Sequence, residues 1–510
     1  MTDDTQLSPT RRLGLTVAVM TATMMQVLDT TIANVAMPHM QAQLSATLEQ
    51  VAWVLTSYIL ASAVATPLTG WLENRLGRRA IFTIAVGGFT IASAMCGAAP
   101  TLTAMVAARA LQGLFGALLL PLSQAAMLDI YPVEKRATAI TIWSMGSMIG
   151  PISGPVLGGI ITESFNWRWI FYVNVPFGIA CTVALWLMLE PGKAAARKFD
   201  AFGYIMLAIS FAAFQLMLDR GTQKDWFDST EIVIEAAVAA SAIWMFVIHS
   251  LTTRNPLIPR ALYRDRNFMM GTGLTIFIVA VMYSSQALIA PMLQQLLNYS
   301  TKQAGMLMMP RGIGTMMSML IAGRLMNRVD IRILMLTGLT TLGAAQYVMT
   351  GYDIVMDSFP ILLAGFLQGA GMGLVVVPLT MVAYATLPSA VRTDATAVFA
   401  MTRNLSASVA IAAMGALFAH NVQMIHAEVG THVTEMNMPV LDGRLIQQLG
   451  HAGGMVAAMV DAEVNRQALM IAYIDDFWLM MWGAAAAMPF VLMLRPRKPG
   501  KEEPAPAAAE

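Results

Sequence analysis

Leu13–Ala36 reads LGLTVAVMTATMMQVLDTTIANVA, with no Lys, Arg or Pro to interrupt it. As a helix rising ~1.5 Å per residue it is about 36 Å long, enough to cross the ~30 Å hydrocarbon core of a bilayer. It is too long for the apolar region of a cleavable signal, and it carries Gln26 and Asp29. The run therefore predicts a membrane-spanning helix with a carboxylate inside it. Thirteen further apolar runs lie near 50–70, 80–98, 102–125, 138–160, 170–190, 201–218, 231–249, 268–292, 304–326, 332–350, 360–384, 394–418 and 470–494. Of the 510 residues 57% are hydrophobic and 12% charged, about half the ~25% charge of a soluble protein. The chain is predicted to be an all-α polytopic membrane protein with 14 transmembrane helices.

The basic residues test that number, because Lys and Arg concentrate in cytoplasmic loops. With the N-terminus inside, the inner segments hold 22 of them, among them Arg11, Arg12, Arg75, Arg78, Arg79, Arg264, Arg328 and Arg497. The outer loops hold 6, and Arg109, Arg311 and Arg403 fall inside spans. A miscount by one helix breaks this alternation, so both termini are expected in the cytoplasm.

Composition also excludes several classes. A formal charge of +1 argues against a nucleic-acid-binding surface. Cys96 and Cys181 both sit in apolar runs, which leaves no disulfide framework or thiolate metal site. No G-x-x-x-x-G-K-[ST] phosphate loop occurs, so an ion gradient is the expected power source. Four of six histidines (His420, His426, His432, His451) lie in one outer loop without ligand spacing, so no metal and no cofactor are expected. The 43 methionines suit a promiscuous apolar pocket, but a lipid-facing or compositional origin explains them as well.

The chain resembles itself at a separation of about 255 residues. Leu111-Gln112-Gly113 matches Leu367-Gln368-Gly369, Pro121-Leu122 matches Pro378-Leu379, and Ala137-Thr138-Ala139 matches Ala395-Thr396-Ala397. Gly70, Leu72, Asn74 and Arg75 match Gly323, Leu325, Asn327 and Arg328. Paired halves are how many secondary transporters build alternating access. The expected organisation is an N-terminal six-helix bundle, 1–190, and two inserted transmembrane helices with flanking linkers, 191–267. A C-terminal six-helix bundle, 268–494, includes an outer loop at 419–469, and 495–510 is a disordered tail.

Several stretches resemble a known family. Leu28–Pro38 (LDTTIANVAMP) resembles the first-helix motif of EmrB/QacA-type fourteen-helix drug:proton antiporters of the major facilitator superfamily. Gly70–Arg79 (GWLENRLGRR) resembles the superfamily's loop motif after helix 2, and Arg109-Ala-Leu-Gln112-Gly113 its helix-4 motif. Gly146, Gly150, Pro151, Gly154, Pro155 and Gly158 resemble the helix-5 antiporter motif, and Trp167–Pro176 is typical of the same branch. Met217–Gly221 and Asp225–Phe227 bring the match nearest to the EmrB type. The resemblance implies two six-helix bundles plus two inserted helices. It implies a bacterial inner-membrane exporter working with a periplasmic, EmrA-like adaptor and a TolC-like outer-membrane channel. One departure stands out: Asn74 occupies the position of the usual gating Asp, which puts that salt bridge in question. Gly70, Arg75, Gly77 and Arg78 remain as gating-loop candidates, and Arg75, Arg78 and Arg79 can rest on anionic lipid headgroups.

Asp29 is the leading candidate for the chemistry. A carboxylate in an apolar helix is costly and normally faces a cavity or partner, and burial favours its protonated form. Arg109 lies at an overlapping depth in span 4 and can pair with the ionised carboxylate. The resemblance assigns this arginine a part in proton transfer. The competing explanations are a structural Asp29 bonded to neighbouring Thr side chains or a helix end, and an Arg109 that is a fixed ion pair or a snorkelling side chain holding helix 4. The four-residue spacing of Gly146, Gly150, Gly154 and Gly158 bares one helix face, and Pro151 and Pro155 add a bend. That face suits a moving seam between the halves, or a static packing surface. Asn34, Tyr58, Gln112, Arg311 and Arg403 are candidate substrate-cavity residues. The function expected is proton-coupled efflux of hydrophobic drugs by alternating access, with a dedicated exporter of one metabolite, siderophore or fatty acid as the alternative. The repeat, and the lack of any catalytic triad or metal cluster, argue against an enzyme.

Overall fold

The computed structural model describes residues 8–132, 135–190, 198–326, 328–388, 391–432 and 451–494. The expected tail 495–510 and the side chains of Pro151 and Pro155 lie outside the described set. Among the described residues there are fourteen long helices and no strand. The first six are α1 (Pro9–Gln43), α2 (Leu48–Ala65), α3 (Arg78–Ala98), α4 (Leu102–Ile130), α5 (Arg136–Ser164) and α6 (Asn174–Met188). Two follow as α7 (Ala201–Arg220) and α8 (Thr230–Thr252). The last six are α9 (Arg266–Pro291), α10 (Thr301–Leu325), α11 (Ile331–Thr350), α12 (Phe359–Tyr384), α13 (Arg392–His432) and α14 (His451–Met493). Twelve segments of this set are long and apolar enough to cross a membrane. The remaining two, α5 and α10, are as long but richer in Gly, Ser and Thr.

Polar residues at the edges of the apolar runs start the helices. Ser8 accepts from Arg11 N with Pro9 in the first turn of α1, and Asp265 accepts from Phe268 N at the start of α9. Thr47 with Gln50, and Ser300 with Gln303, form reciprocal caps on α2 and α10. Gly77, at φ 79°, makes the break before α3 that a side chain would resist. Outward, the helices expose Ile91, Leu187, Trp244 and many other apolar side chains, a surface that fits lipid rather than water.

The two sets of six helices pack alike. In the first set α1 meets α5 and α6, α2 meets α4, and α3 meets α4 and α6. In the second set α9 meets α13 and α14, α10 meets α12, and α11 meets α12 and α14. Two six-helix bundles plus two inserted helices are the architecture. The inserted α7 is no bystander, since it packs against α8, α2 and α13.

The sets meet at the end of the molecule where the described chain starts at Ser8 and stops at Leu494. There Thr141 of α5 packs on Gly323 of α10, Thr396 of α13 donates to Pro121 O of α4 (3.1 Å), and Tyr384 of α12 donates to Gln124 of α4 (3.4 Å).

One expectation needs correction. The flanks of the outer stretch 419–469 are helix rather than loop: α13 runs unbroken to His432 and α14 starts at His451. At 41 and 43 residues these helices are about 60 Å long, twice the ~30 Å hydrocarbon thickness. His426 and Asp461, 3.3 Å apart, tie the two arms beyond it. The polar residues that end the apolar run do not end the helix, because no Pro breaks it and the helical ladder needs no lipid.

Candidate functional site

Asp29 lies on α1 between Gln26 and Ile32, on the face turned to α4, and is 2% exposed. Its carboxylate receives three side-chain donors from two other helices. Arg109 Nη1 of α4 donates to Oδ2 at 2.6 Å, while Gln112 Nε2 of α4 (2.8 Å) and Asn174 Nδ2 of α6 (3.3 Å) donate to Oδ1. Arg109 also donates to Gln112 Oε1 (2.8 Å) and, through Nε, to Val54 O of α2 (3.1 Å). Asn174 is steadied by Ser93 of α3 at 3.2 Å. A buried ion pair of this kind survives its desolvation cost only when further hydrogen bonds satisfy the remaining atoms; here α2, α4 and α6 supply most of them, while Arg109 Nη2 has no hydrogen-bond partner among the described residues.

The Arg109 guanidinium also lies over the Tyr58 ring at 4.4 Å and over Phe171 at 5.6 Å. Tyr58 has a second neighbour. It lines a cavity of about 270 Å³ between the two bundles, together with Gln26 and Thr30 of α1, Gln215 of α7, Tyr283 of α9 and Arg403 of α13. The ion pair thus sits directly behind the cavity wall. Arg403 is the one charged side chain in that lining among the described residues.

The other cavity candidates fall elsewhere. Asn34 is exposed and donates to Thr30 O. Gln112 belongs to the ion-pair network, and Arg311 donates to Met282 O of α9 at 3.1 Å.

The gating-loop residues converge at the termini end. Arg78 donates to Glu73 and, at 2.6 Å, to Asp129 Oδ2 at the end of α4. Asp129 Oδ1 accepts from Arg392 Nη1 of α13 at 2.7 Å, which bridges the bundles. A Cβ on Gly70 would overlap the Asp394 carboxylate, so only glycine admits α13 this closely. Arg75 is exposed and lies over Trp71. Glu73 and Asp129 supply the negative charge that Asn74 lacks. Asp129, Arg392 and Asp394 were invisible to motif reading; the one signal was a surplus of inner arginines in need of a partner. Ser93 was also missed, and Asn174 was hidden inside the Trp167–Pro176 stretch.

The bare face of α5 turns out to face its own bundle, a correction to the seam expected between halves. A Cβ at Gly146, Gly150 or Gly154 would strike Met20, Val27 or Thr31 of α1, respectively. Thr31 also donates to Gly150 O at 3.2 Å. Gly158 is buried and its carbonyl accepts from Thr162. Spacing reveals that a face is bare, not which helix comes to cover it.

The sequence profile of the Major Facilitator Superfamily matches residues 19–411. The chain is similar to the multidrug export protein EmrB of Haemophilus influenzae, 32% identical over 94% of this chain and 95% of that protein. EmrB of Escherichia coli K12 is 33% identical over 91% and 92%. The fatty acid resistance protein FarB of Neisseria gonorrhoeae is 32% identical over 90% and 91%. The solved structure of the proton:xylose symporter XylE shares the fold, with a TM-score of 0.60 over 95% of this chain and 96% of that one at 14% identity.

Proposed function

This chain belongs to the major facilitator superfamily, and from its likeness to the multidrug export proteins EmrB we infer that it is a multidrug efflux transporter, driven by protons exchanged at Asp29. The observation that carries the proton site is the buried Asp29–Arg109 pair lying behind Tyr58, one side chain away from the central cavity. Protonation removes the charge that holds Arg109, and a buried cation without its partner costs about 3–5 kcal/mol. The bundle relieves that cost by moving Arg109 and the helices that carry it. Drug entering beside Gln26, Thr30 and Tyr58 presses on the same wall, so drug and proton bias one element in opposite directions. Arg403 is placed to attract negatively polarised parts of a substrate.

The Arg78–Asp129–Arg392 bridge is the lock on the cytoplasmic side, with Gly70 admitting Asp394 beside it. The close α1–α5 contact over Gly146, Gly150 and Gly154 transmits motion of α5 to Asp29. The fall in Lys and Arg on the opposite side supports cytoplasmic termini and an inner-membrane location. The resemblance to EmrB-type exporters implies an adaptor and an outer-membrane channel as partners, with the α13 and α14 arms as a contact surface. Bundles at 1–190 and 268–494 with inserted helices at 191–267 are the moving parts. Each proton crossing ~100 mV releases about 2.3 kcal/mol, enough for uphill export. Transport of a hydrophobic dye in proteoliposomes tests this reading: export must follow an imposed pH gradient and vanish when it is collapsed.

A further inference from the structure

The repeat places a second polar cluster in the C-terminal bundle, and it differs from the first in two respects. The Asp29 site draws on the first, third, fourth and sixth helices of its bundle through Asp29, Ser93, Gln112 and Asn174. The corresponding helices α9, α11, α12 and α14 bury Ser284 and Ser285, Gln346, Gln368 and Asp476. Offsets of 253–256 residues, those of the repeat, carry Asp29 to Ser284, Ser93 to Gln346 and Gln112 to Gln368. The same offset carries Arg109 to Gly365. The carboxylate has moved to the sixth helix, and the cation is gone.

Packing brings these residues near one another. Gln368 Nε2 donates to Ser285 Oγ at 2.7 Å. Gly483 of α14 faces Val281 of α9, and Gly343 of α11 faces Ala484. Counting at ~1.5 Å per residue from those anchors puts Asp476 within about 5–8 Å, along the helix axis, of the Ser284, Ser285 and Gln346 level. Asp476 is 0% exposed, and both its oxygens lack a hydrogen-bond partner among the described residues. The same holds for both amide atoms of Gln346, for Ser284 Oγ and for Gln368 Oε1.

Among the described residues no cation on the elements packed against α14 pairs with the carboxylate, and Arg311 of α10 donates instead to Met282 O of α9. Tyr473 and Tyr352 lie in the aromatic cluster at Phe477, and Asp475 is its exposed neighbour. On α9 Tyr283 lines the central cavity, and on α11 Tyr347 is exposed while Arg332 binds Leu494 O at the termini end. On α13 Arg403 lines the cavity, His420 is exposed and His426 pairs with Asp461. An ionised carboxylate buried without partner or counter-charge costs several kcal/mol.

We propose that Asp476 is a second intramembrane proton-binding site, protonated in this conformation while Asp29 is ionised. Its O–H forms at the expense of a hydronium O–H when water reaches the cluster, and breaks on return of the proton to water. The two bundles thus hold carboxylates in opposite states. Coupling by this site rests on the transport reading above, but its protonation does not, and the test reads protonation.

The experiment is infrared difference spectroscopy on the purified full-length chain near pH 7.5. The wild type is expected to show a protonated-carboxyl stretch, shifted in D₂O, that is lost in Asp476→Asn and kept in Asp29→Asn. Should Asp476→Asn not fold, Asp476→Glu moves the band instead of removing it. A band unchanged in Asp476→Asn, unmoved in Asp476→Glu, or lost only in Asp29→Asn overturns the proposal, while dye transport driven by a pH gradient would still support the transport reading. With the band assigned, Asp476→Asn is expected to release fewer protons per rhodamine 6G bound than wild type; equal release removes the site from coupling.

Discussion

Tyr58 holds the Arg109 guanidinium 4.4 Å from its ring centre and at the same time forms part of the cavity wall. The ion pair and the cavity therefore share one side chain. Removing the ring takes away a desolvated cation–π contact worth about 2 kcal/mol or more and opens the pair to the cavity. Tyr58→Phe keeps the ring, so it is expected to export dye at a rate close to wild type. Tyr58→Ala is expected to lose most pH-gradient-driven export while leaking protons. Proton flux and dye export measured side by side in proteoliposomes check this, and tight coupling in Tyr58→Ala would refute it.

Asp129 holds Arg78 and Arg392 together across the bundles. Each charge-assisted bond contributes about 1.5–3 kcal/mol, so Asp129→Asn should shift the closed population by roughly ten-fold or more. Thr141 and Gly323 report on that closure, because an ideal Cβ at Gly323 lies 3.3 Å from Thr141 Cβ, near the ~3.8 Å of a disulfide. With Cys96 and Cys181 replaced, a Thr141→Cys/Gly323→Cys pair should cross-link readily in the parent. Asp129→Asn should slow that cross-linking. An unchanged rate would show that the bridge does not hold the gate.

The α1–α5 contact makes a prediction with an internal control. Gly150→Leu and Gly154→Leu drive a side chain into Val27 and Thr31, which flank Asp29, whereas Gly159 has nothing within 4 Å of an added Cβ. The first two variants should reach the membrane but transport little, and Gly159→Leu should transport normally. Transport by all three would separate this contact from the mechanism.

Fourteen helices were legible in the sequence because each apolar run carries its own length, and Asp29 and Arg109 because charges inside such runs are rare. Their pairing was legible only as equal depth. What the sequence withheld is relational. Glycine spacing in α5 named a bare face without naming α1. Asp129 sits at the end of its apolar run, and nothing local marks it, because its partners Arg78 and Arg392 come from other helices. The α13 and α14 arms read as loop because hydropathy stops at the bilayer edge while helix formation does not.

Asp29→Asn offers the strongest test, because coupling and stability can be separated at this site. The amide cannot ionise, so it stands for the protonated form, and dye binding should survive while export driven by a pH gradient stops. It also leaves Arg109 buried without its partner, which should destabilise the protein by about 3–5 kcal/mol and lower its melting temperature. Asp29→Asn with Arg109→Gln removes both charges and should recover much of that stability. If Asp29 served only to hold α1 on α4, the double variant would recover coupled export along with stability. If Asp29 carries the proton, stability returns and coupled export does not. Asp29→Glu, one methylene longer, should keep partial export with a shifted pH optimum. Melting temperature and pH-gradient-driven export of the same four proteins decide the matter, and coupled export by the double variant would end the case for Asp29 as the proton site.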